Sequence, residues 1–224
     1  MRSERARGGL AAPIAVTLLL IGGARLFADS SPAIRLTWAL LLRAGDGSAK
    51  TVDCSRDVVR LKSDDRIRIF LRPQSACYFY LYLHDAQKNL FLLFPDQLSL
   101  WDNPADAEKS YTLPGSDRWF HLDERSGTEV IYLILSDRRL RALEVMTGRD
   151  WEKGAGRSGL HSIPYSYDVL EEIRRIIAAC VSANVVEKPV PVAGDFRGLQ
   201  DEGELDGISV EARGVYVRTI RLEH

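Results

Sequence analysis

Between residues 65 and 72 apolar and polar positions alternate with period two, with Ile67, Ile69 and Leu71 on one face and Arg66, Arg68, Phe70 and Arg72 on the other. Successive side chains of a strand point to opposite sides, so this run predicts a strand with one dry side. Residues 77–84 alternate in the same way. Cys77, Phe79, Leu81 and Leu83 share one face, while Tyr78, Tyr80, Tyr82 and His84 share its reverse. The polar residues 85–89 lead into a second apolar run, 90–94, which Pro95 ends, and the two runs read as a hairpin. Further strands are expected at 34–43, 110–113, 119–122 and 129–135, with a single closing strand at 208–222. Short strands joined by Pro, Gly and Asp turns point to a mostly-β fold, an antiparallel sandwich of immunoglobulin-like or jelly-roll-like type, and away from a parallel α/β sheet.

Helical spacing enters late. Asp168 with Glu171 three residues on forms a capping box, after which Val169, Leu170, Ile173, Ile176, Ile177 and Cys180 recur on one side. Glu172, Arg174 and Arg175 lie opposite, so the helix is expected to rest on the sheet with that face wet. A shorter helix is expected over 137–146. Residues 148–164 are polar and glycine-rich and read as a loop, and 183–208, with Pro189, Pro191 and the acidic run 201–206, as a surface connection.

The first 28 residues change the setting. Arg2, Arg5 and Arg7 stand against Glu4, and no charge follows from Gly8 to Ala24. A basic flank, a short apolar run and small residues make a cleavable signal peptide. Pro13 and Gly22-Gly23 interrupt a run already short of the ~20 apolar residues a membrane span needs. Cleavage is expected after Ala28, with Ala24 as the alternative, and the product is expected to be periplasmic or secreted, without an integral span. Neither cut exposes a cysteine for acylation. Processing removes four of 30 basic residues and one of 31 acidic ones, leaving 26 against 30. That balance argues against nucleic acid as a partner. The remaining residues, 29–224, suit one domain.

The chain from 60 to 137 resembles the bacterial domain-of-unknown-function family 4384. The words that carry the resemblance are, in order, Asp65-Arg-Ile-Arg-Ile, Tyr78-Phe-Tyr-Leu-Tyr-Leu, the connector 85–89, Leu93-Phe94-Pro95-Asp96, Tyr111-Thr-Leu-Pro114 and Gly127-Thr-Glu129. Asp96 stands where the family usually has Asn. These are strand and turn words without catalytic content. The resemblance therefore implies a fold, and an accessory or binding role on exported proteins, with residues 138–224 as a helix-containing extension.

Candidate chemistry is sparse. Gly154-x-Gly156-x-x-Gly159 lacks the preceding buried strand that dinucleotide binding requires. His84, His121, His161 and His224 are far apart in sequence, no serine lies in a nucleophile elbow, and Cys54, Cys77 and Cys180 match no metal or redox spacing. Asp102, Asp106 and Glu108, and Asp201, Glu202, Glu204 and Asp206, lack the spacing of a calcium loop and read as solvated turns. No metal, cofactor or catalytic set is therefore assigned.

The stripe Tyr78, Tyr80, Tyr82 and His84 remains as a speculative binding surface. Burial beneath the late helix, with each hydroxyl reaching water at the rim, is the favoured alternative. The leading expectation is a non-enzymatic envelope module that binds another protein or an envelope component. Set against it are a secreted hydrolase built across loops from His84, His121 and nearby acids, and a sensory or ligand-binding domain using the tyrosine face. In a secreting bacterium the released chain is expected to begin at Asp29, as read by intact mass; a product that keeps Met1 overturns the signal-peptide reading.

Overall fold

The computed structural model describes residues 33–53, 56–62, 64–95, 104–115, 118–121, 126–151, 161–163, 166–180, 185–192 and 205–224, with only the backbone of Ala33, Asp150, Trp151, His161 and Leu205. The signal-peptide residues 1–28, Cys54, the glycine pattern 154–159 and the acids Asp102, Asp201, Glu202 and Glu204 lie outside the described residues.

Thirteen strands and two helices are found among the described residues. The strands are β1 (Ala33–Arg43), β2 (Ala49–Thr51), β3 (Val58–Arg60), β4 (Arg66–Pro73), β5 (Tyr78–His84), β6 (Leu90–Phe94), β7 (Tyr111–Leu113), β8 (Phe120–His121), β9 (Thr128–Ser136), β10 (His161–Ile163), β11 (Val186–Val192), β12 (Leu205–Arg213) and β13 (Val215–Glu223). The helices are α1 (Arg141–Trp151) and α2 (Tyr167–Cys180). Sheet A runs β11-β12-β1-β4-β7, with β2 also on β1 and β8 also on β4. Sheet B runs β10-β6-β5-β9-β13-β3. All pairs are antiparallel except β13 with β3. The two sheets pack as a β-sandwich, as the alternation predicts.

The main core lies between the sheets. Leu36, Leu40 and Ile69 of sheet A meet Leu81, Leu133 and Ile220 of sheet B, all at most 2 % exposed. Burying such side chains stabilises by roughly 1.5–3 kcal/mol each. A second core lies on the outside of sheet B, where Tyr80, Tyr82, Leu90 and Ile134 pack with Leu143 of α1 and Ile173 of α2. A small third cluster covers the outside of sheet A with Ala39, Leu41, Phe70 and Val192. Phe70 is therefore buried, and so is Arg68, whose guanidinium sits 4.2 Å from the Trp119 ring and donates to the Arg118 carbonyl. β4 is dry on both sides at its centre, contrary to the expectation of one dry face, because Trp119 folds over it.

Several elements depart from the sequence pattern, each for a local reason. Residues 208–222 do not form one strand. The chain leaves sheet A after β12 and enters sheet B as β13, turning at Gly214, whose φ of +75° suits only glycine without strain. The connection expected at 183–208 contains β11, and its prolines are tolerated because β11 is the edge strand of sheet A.

The helix expected over 137–146 starts later, at Arg141, because residues 137–140 are used in a turn. There the Asp137 N–H donates to the Gly214 carbonyl and the Arg138 N–H to Ser136 Oγ. α2 opens ahead of the expected cap, with the Ser166 carbonyl accepting from the Leu170 N–H, so Asp168 sits inside the first turn. Glu172 is buried and not wet, held by Arg175 at 2.8 Å. The loop expected at 148–164 contains the end of α1 and β10, which pairs with β6.

Residues 31–224 form one compact unit. No described helix is long and apolar enough to cross a membrane. At Gly214 nothing lies within 4 Å of an added Cβ, so Gly214→Ala tests backbone strain alone. It is expected to lower unfolding stability by about 1 kcal/mol in a urea titration; an unchanged midpoint contradicts this.

Candidate functional site

β5 is the strand from which the candidate site is built. Its outward tyrosines do not form an exposed ladder: Tyr80 and Tyr82 are 1 % and 0 % exposed, whereas Tyr78 and His84 at the strand ends are half-buried. The hydroxyls of Tyr80 and Tyr82 do not reach water at a rim either, because α1 brings polar partners to them. Tyr80 Oη donates to Glu144 Oε1 at 2.7 Å and accepts from the Leu140 N–H at 3.1 Å. Tyr82 Oη lies 2.9 Å from Thr147 Oγ1. Arg139 donates through Nε to the second oxygen of the same Glu144 carboxylate at 2.9 Å.

Glu144 is only 3 % exposed, so its charge is held by this fork and the tyrosine together. Burial pushes both tyrosine hydroxyls far above their ordinary range, with the Glu144 carboxylate adding to the effect. Both remain neutral hydroxyls at any physiological pH. This network seats α1 on the sheet, and Tyr80 and Tyr82 are closed to a ligand.

Where β5 begins, a cavity of about 380 Å³ opens at the seam between the sheets, within the usual range of ligand pockets. Phe79 and Phe94 stack with centroids 3.9 Å apart, and Tyr111 of β7 stands edge-on to Phe79 at 5.4 Å. Tyr78, Pro95 and Pro104 complete the apolar lining. The Ala105 N–H donates to the Cys77 carbonyl, which ties residues 104–106 to the start of β5. Asp106 and Lys109 form the polar rim: their charged groups are 3.7 Å apart, the Asp106 N–H donates to Tyr111 Oη, and Lys109 Nζ lies 5.3 Å from the Tyr111 ring. The arrangement can hold an apolar or ring-bearing group below and orient a polar one above. Its described lining residues include no nucleophile with an adjacent base. Burial pushes the nearby Cys77 thiol up to about 11, so it stays protonated.

His84 and His121 do not come together. On β4 the interior residues are Ile67, Ile69 and Leu71, so Arg66 points outward, and His121 stands directly opposite it. His84 lies on the outer face of sheet B, close enough to Arg174 of α2 to feel its charge. The two imidazoles thus occupy opposite outer faces, with both sheets between them. Burial lowers the His84 pKa, a neighbouring Asp85 only partly opposing it.

His224 also lies beside an acid, Nε2 being 3.7 Å from Glu129 Oε1. No strand pattern pointed to that pair, since it depends on Gly127 exchanging backbone bonds with His224. No group of three or more His, Cys, Asp or Glu side chains among the described residues is gathered as a metal centre requires. Cys77 is buried and Cys180 half-buried, and both are free thiols.

The ten described residues that line the cavity fall between positions 78 and 111. Residues 60–139 match the family described as Domain of unknown function (DUF4384). No curated protein and no solved structure matches the chain. The DUF4384 segment extends two residues beyond the resemblance read from the strand and turn words, and it contains the whole cavity lining. The family words acquire physical roles. Phe94 and Pro95 form one wall of the cavity and Tyr111 another. Gly127 abuts the β5–β6 turn so closely that an added Cβ would lie 2.4 Å from that of Ala86. In the turn itself Asp85 accepts from the Asn89 N–H at 2.7 Å, and Lys88 takes a left-handed φ of 67°.

Tyr80→Phe removes a bond to a buried carboxylate and strands the Leu140 N–H. It is expected to cost about 1.5–3 kcal/mol of unfolding free energy. Equal urea midpoints for wild type and Tyr80→Phe would show that the hydroxyl does not anchor α1.

Proposed function

We propose that this chain is an exported, non-enzymatic accessory or binding module of the bacterial cell envelope, and that it holds its ligand in the aromatic cavity at the start of β5. The observation that carries the reading is the coincidence of that cavity with the DUF4384 segment: all its lining residues fall inside it. The chemistry of the lining agrees. Stacked and edge-on rings with two prolines offer a rigid apolar surface, and a single charged pair at the mouth supplies direction.

The signal-peptide pattern of residues 1–28 supports an envelope or secreted location. The hydrolase reading has less in its favour, because its two chosen histidines face away from each other across the sandwich. The reading that uses the tyrosine face as a ligand surface narrows to Tyr78, which is half-buried and lines the cavity, since the hydroxyls of Tyr80 and Tyr82 are taken up by α1.

Lys109→Glu tests the reading with little risk to folding, since the Lys109 side chain is 60 % exposed. Wild type, cross-linked in an envelope fraction and separately sedimented with isolated wall material, is expected to retain a defined component. Lys109→Glu is expected to lose most of that retention while keeping the wild-type melting temperature. A wild-type chain that retains nothing in both assays overturns the reading, as does a variant that retains as much as wild type.

A further inference from the structure

Sheet A has a second cavity at the opposite end of its strand order from β7, where β1, β2, β11 and β12 meet. β12 pairs with β1 as far as Ile208 opposite Trp38, and β2 takes up the same edge of β1 only at Thr51 opposite Leu41. The step between them is bridged by the Val52 N–H donating to the Leu40 carbonyl and the Asp206 N–H donating to Thr51 Oγ1 at 3.3 Å. A cavity of about 520 Å³ opens at this step.

Register shows which way its walls face. Ile208 and Val210 point between the sheets, and their partners on β11 are Pro189 and Glu187, which therefore share that side. Lys188, opposite Ser209, faces the other way. We propose that this cavity is a second binding site, one that takes an ammonium group on an aliphatic stem, as carried by a lysine side chain of a partner peptide or by a polyamine.

The apolar part of the site suits methylenes. Val52, Pro189 and Ile208 line it, and the fully buried Trp38 lies at its base. The polar part is acidic on balance, with Asp53, Glu187 and Asp206 against Lys188, which lines the cavity from β11 although its register turns its side chain to the other face of the sheet. The three acids differ in how far their charge is already used. Glu187 accepts from Tyr216 Oη at 2.8 Å and faces Arg218 at 3.6 Å. Asp53 has Arg56 at 3.5 Å, an exposed pair that contributes little. Asp206 is exposed, has no ion-pair partner among the described residues, and shares the interior-facing side of β12 with Ile208.

An ammonium at Asp206 therefore gains a carboxylate without breaking a pair, and its stem lies along the apolar wall, the division of labour common to long cationic side chains. The buried Trp38 indole N–H lies near the Tyr216 hydroxyl without an acceptor at hydrogen-bond geometry. Its NMR signal is accordingly a sensitive reporter of a group entering from the mouth.

The test is a titration of the ¹⁵N-labelled chain with spermidine and, separately, with end-blocked Gly-Lys-Gly, following the Trp38 indole cross-peak. A saturable shift is expected with at least one probe. A response to the peptide alone assigns a partner side chain; a response to spermidine alone assigns a polyamine. Asp206→Asn is expected to weaken the apparent affinity about threefold or more. Its carboxylate makes no described bond, so the fold is kept. Glu211→Gln, on the opposite face of the same strand, is expected to leave the affinity unchanged. In wild type, raising the salt to about 1 M, where the screening length falls to about 3 Å, is expected to weaken it as well. No saturable shift with either probe overturns the proposal, and so does equal weakening by Asp206→Asn and Glu211→Gln.

Discussion

The fold turns on a strand that is buried on both faces. β5 sends Phe79 and Leu81 into the space between the sheets and Tyr80 and Tyr82 into the layer beneath the helices. A strand buried on both sides normally reads as a continuous apolar run. β5 instead carries tyrosine on one side, so each inserted ring brings a hydroxyl that has to be satisfied. Glu144 and Thr147, one helical turn apart on α1, meet that requirement. The position of α1 is thereby fixed by polar geometry as well as by the packing of Leu143. The Glu144 carboxylate is tolerable in turn only because Arg139 and Tyr80 share its two oxygens.

From this follows the relation between the DUF4384 segment and the rest of the chain. Residues 60–139 supply β4 through β9, and hence the β4-β7 end of sheet A and the middle of sheet B. They do not supply β1, which lies between β12 and β4, or β13, which covers the free edge of β9. Nor do they supply the helices that cover Tyr80 and Tyr82. The segments on either side complete the sandwich and are not appendages to it. The segment's own distinctive words cluster where chain geometry is tightest: the Asp85–Asn89 turn, the Phe94-Pro95 corner, and Gly127 against Ala86.

The two cavities lie where the sandwich is least closed, at opposite ends of the strand order of sheet A. One is lined by rings and prolines with a balanced pair at its rim, and the other is apolar within and acidic at its mouth. Both combine strand residues, positioned by a register of backbone hydrogen bonds, with residues of the adjoining connections.

The sequence by itself determined the strands of the centre, the β5–β6 hairpin, the face each side chain of β4 and β5 takes, and the existence of α2, because a period of two or of 3.6 is a local property that survives without knowledge of neighbours. It also carried the family words. What it left open was decided by contacts between residues far apart in the chain. Arg68 and Phe70 are buried because Trp119 and Val192 cover them. The run 208–222 divides because Gly214 passes it from one sheet to the other. Of the stripe Tyr78, Tyr80, Tyr82 and His84, alternation placed all four on one face, but only α1 decided that the middle two are closed. The aromatic cavity was legible in its parts, Tyr78, Phe94, Pro95 and Tyr111, and not as a site. Its walls come from strands of both sheets, and no local pattern records which strands will face each other.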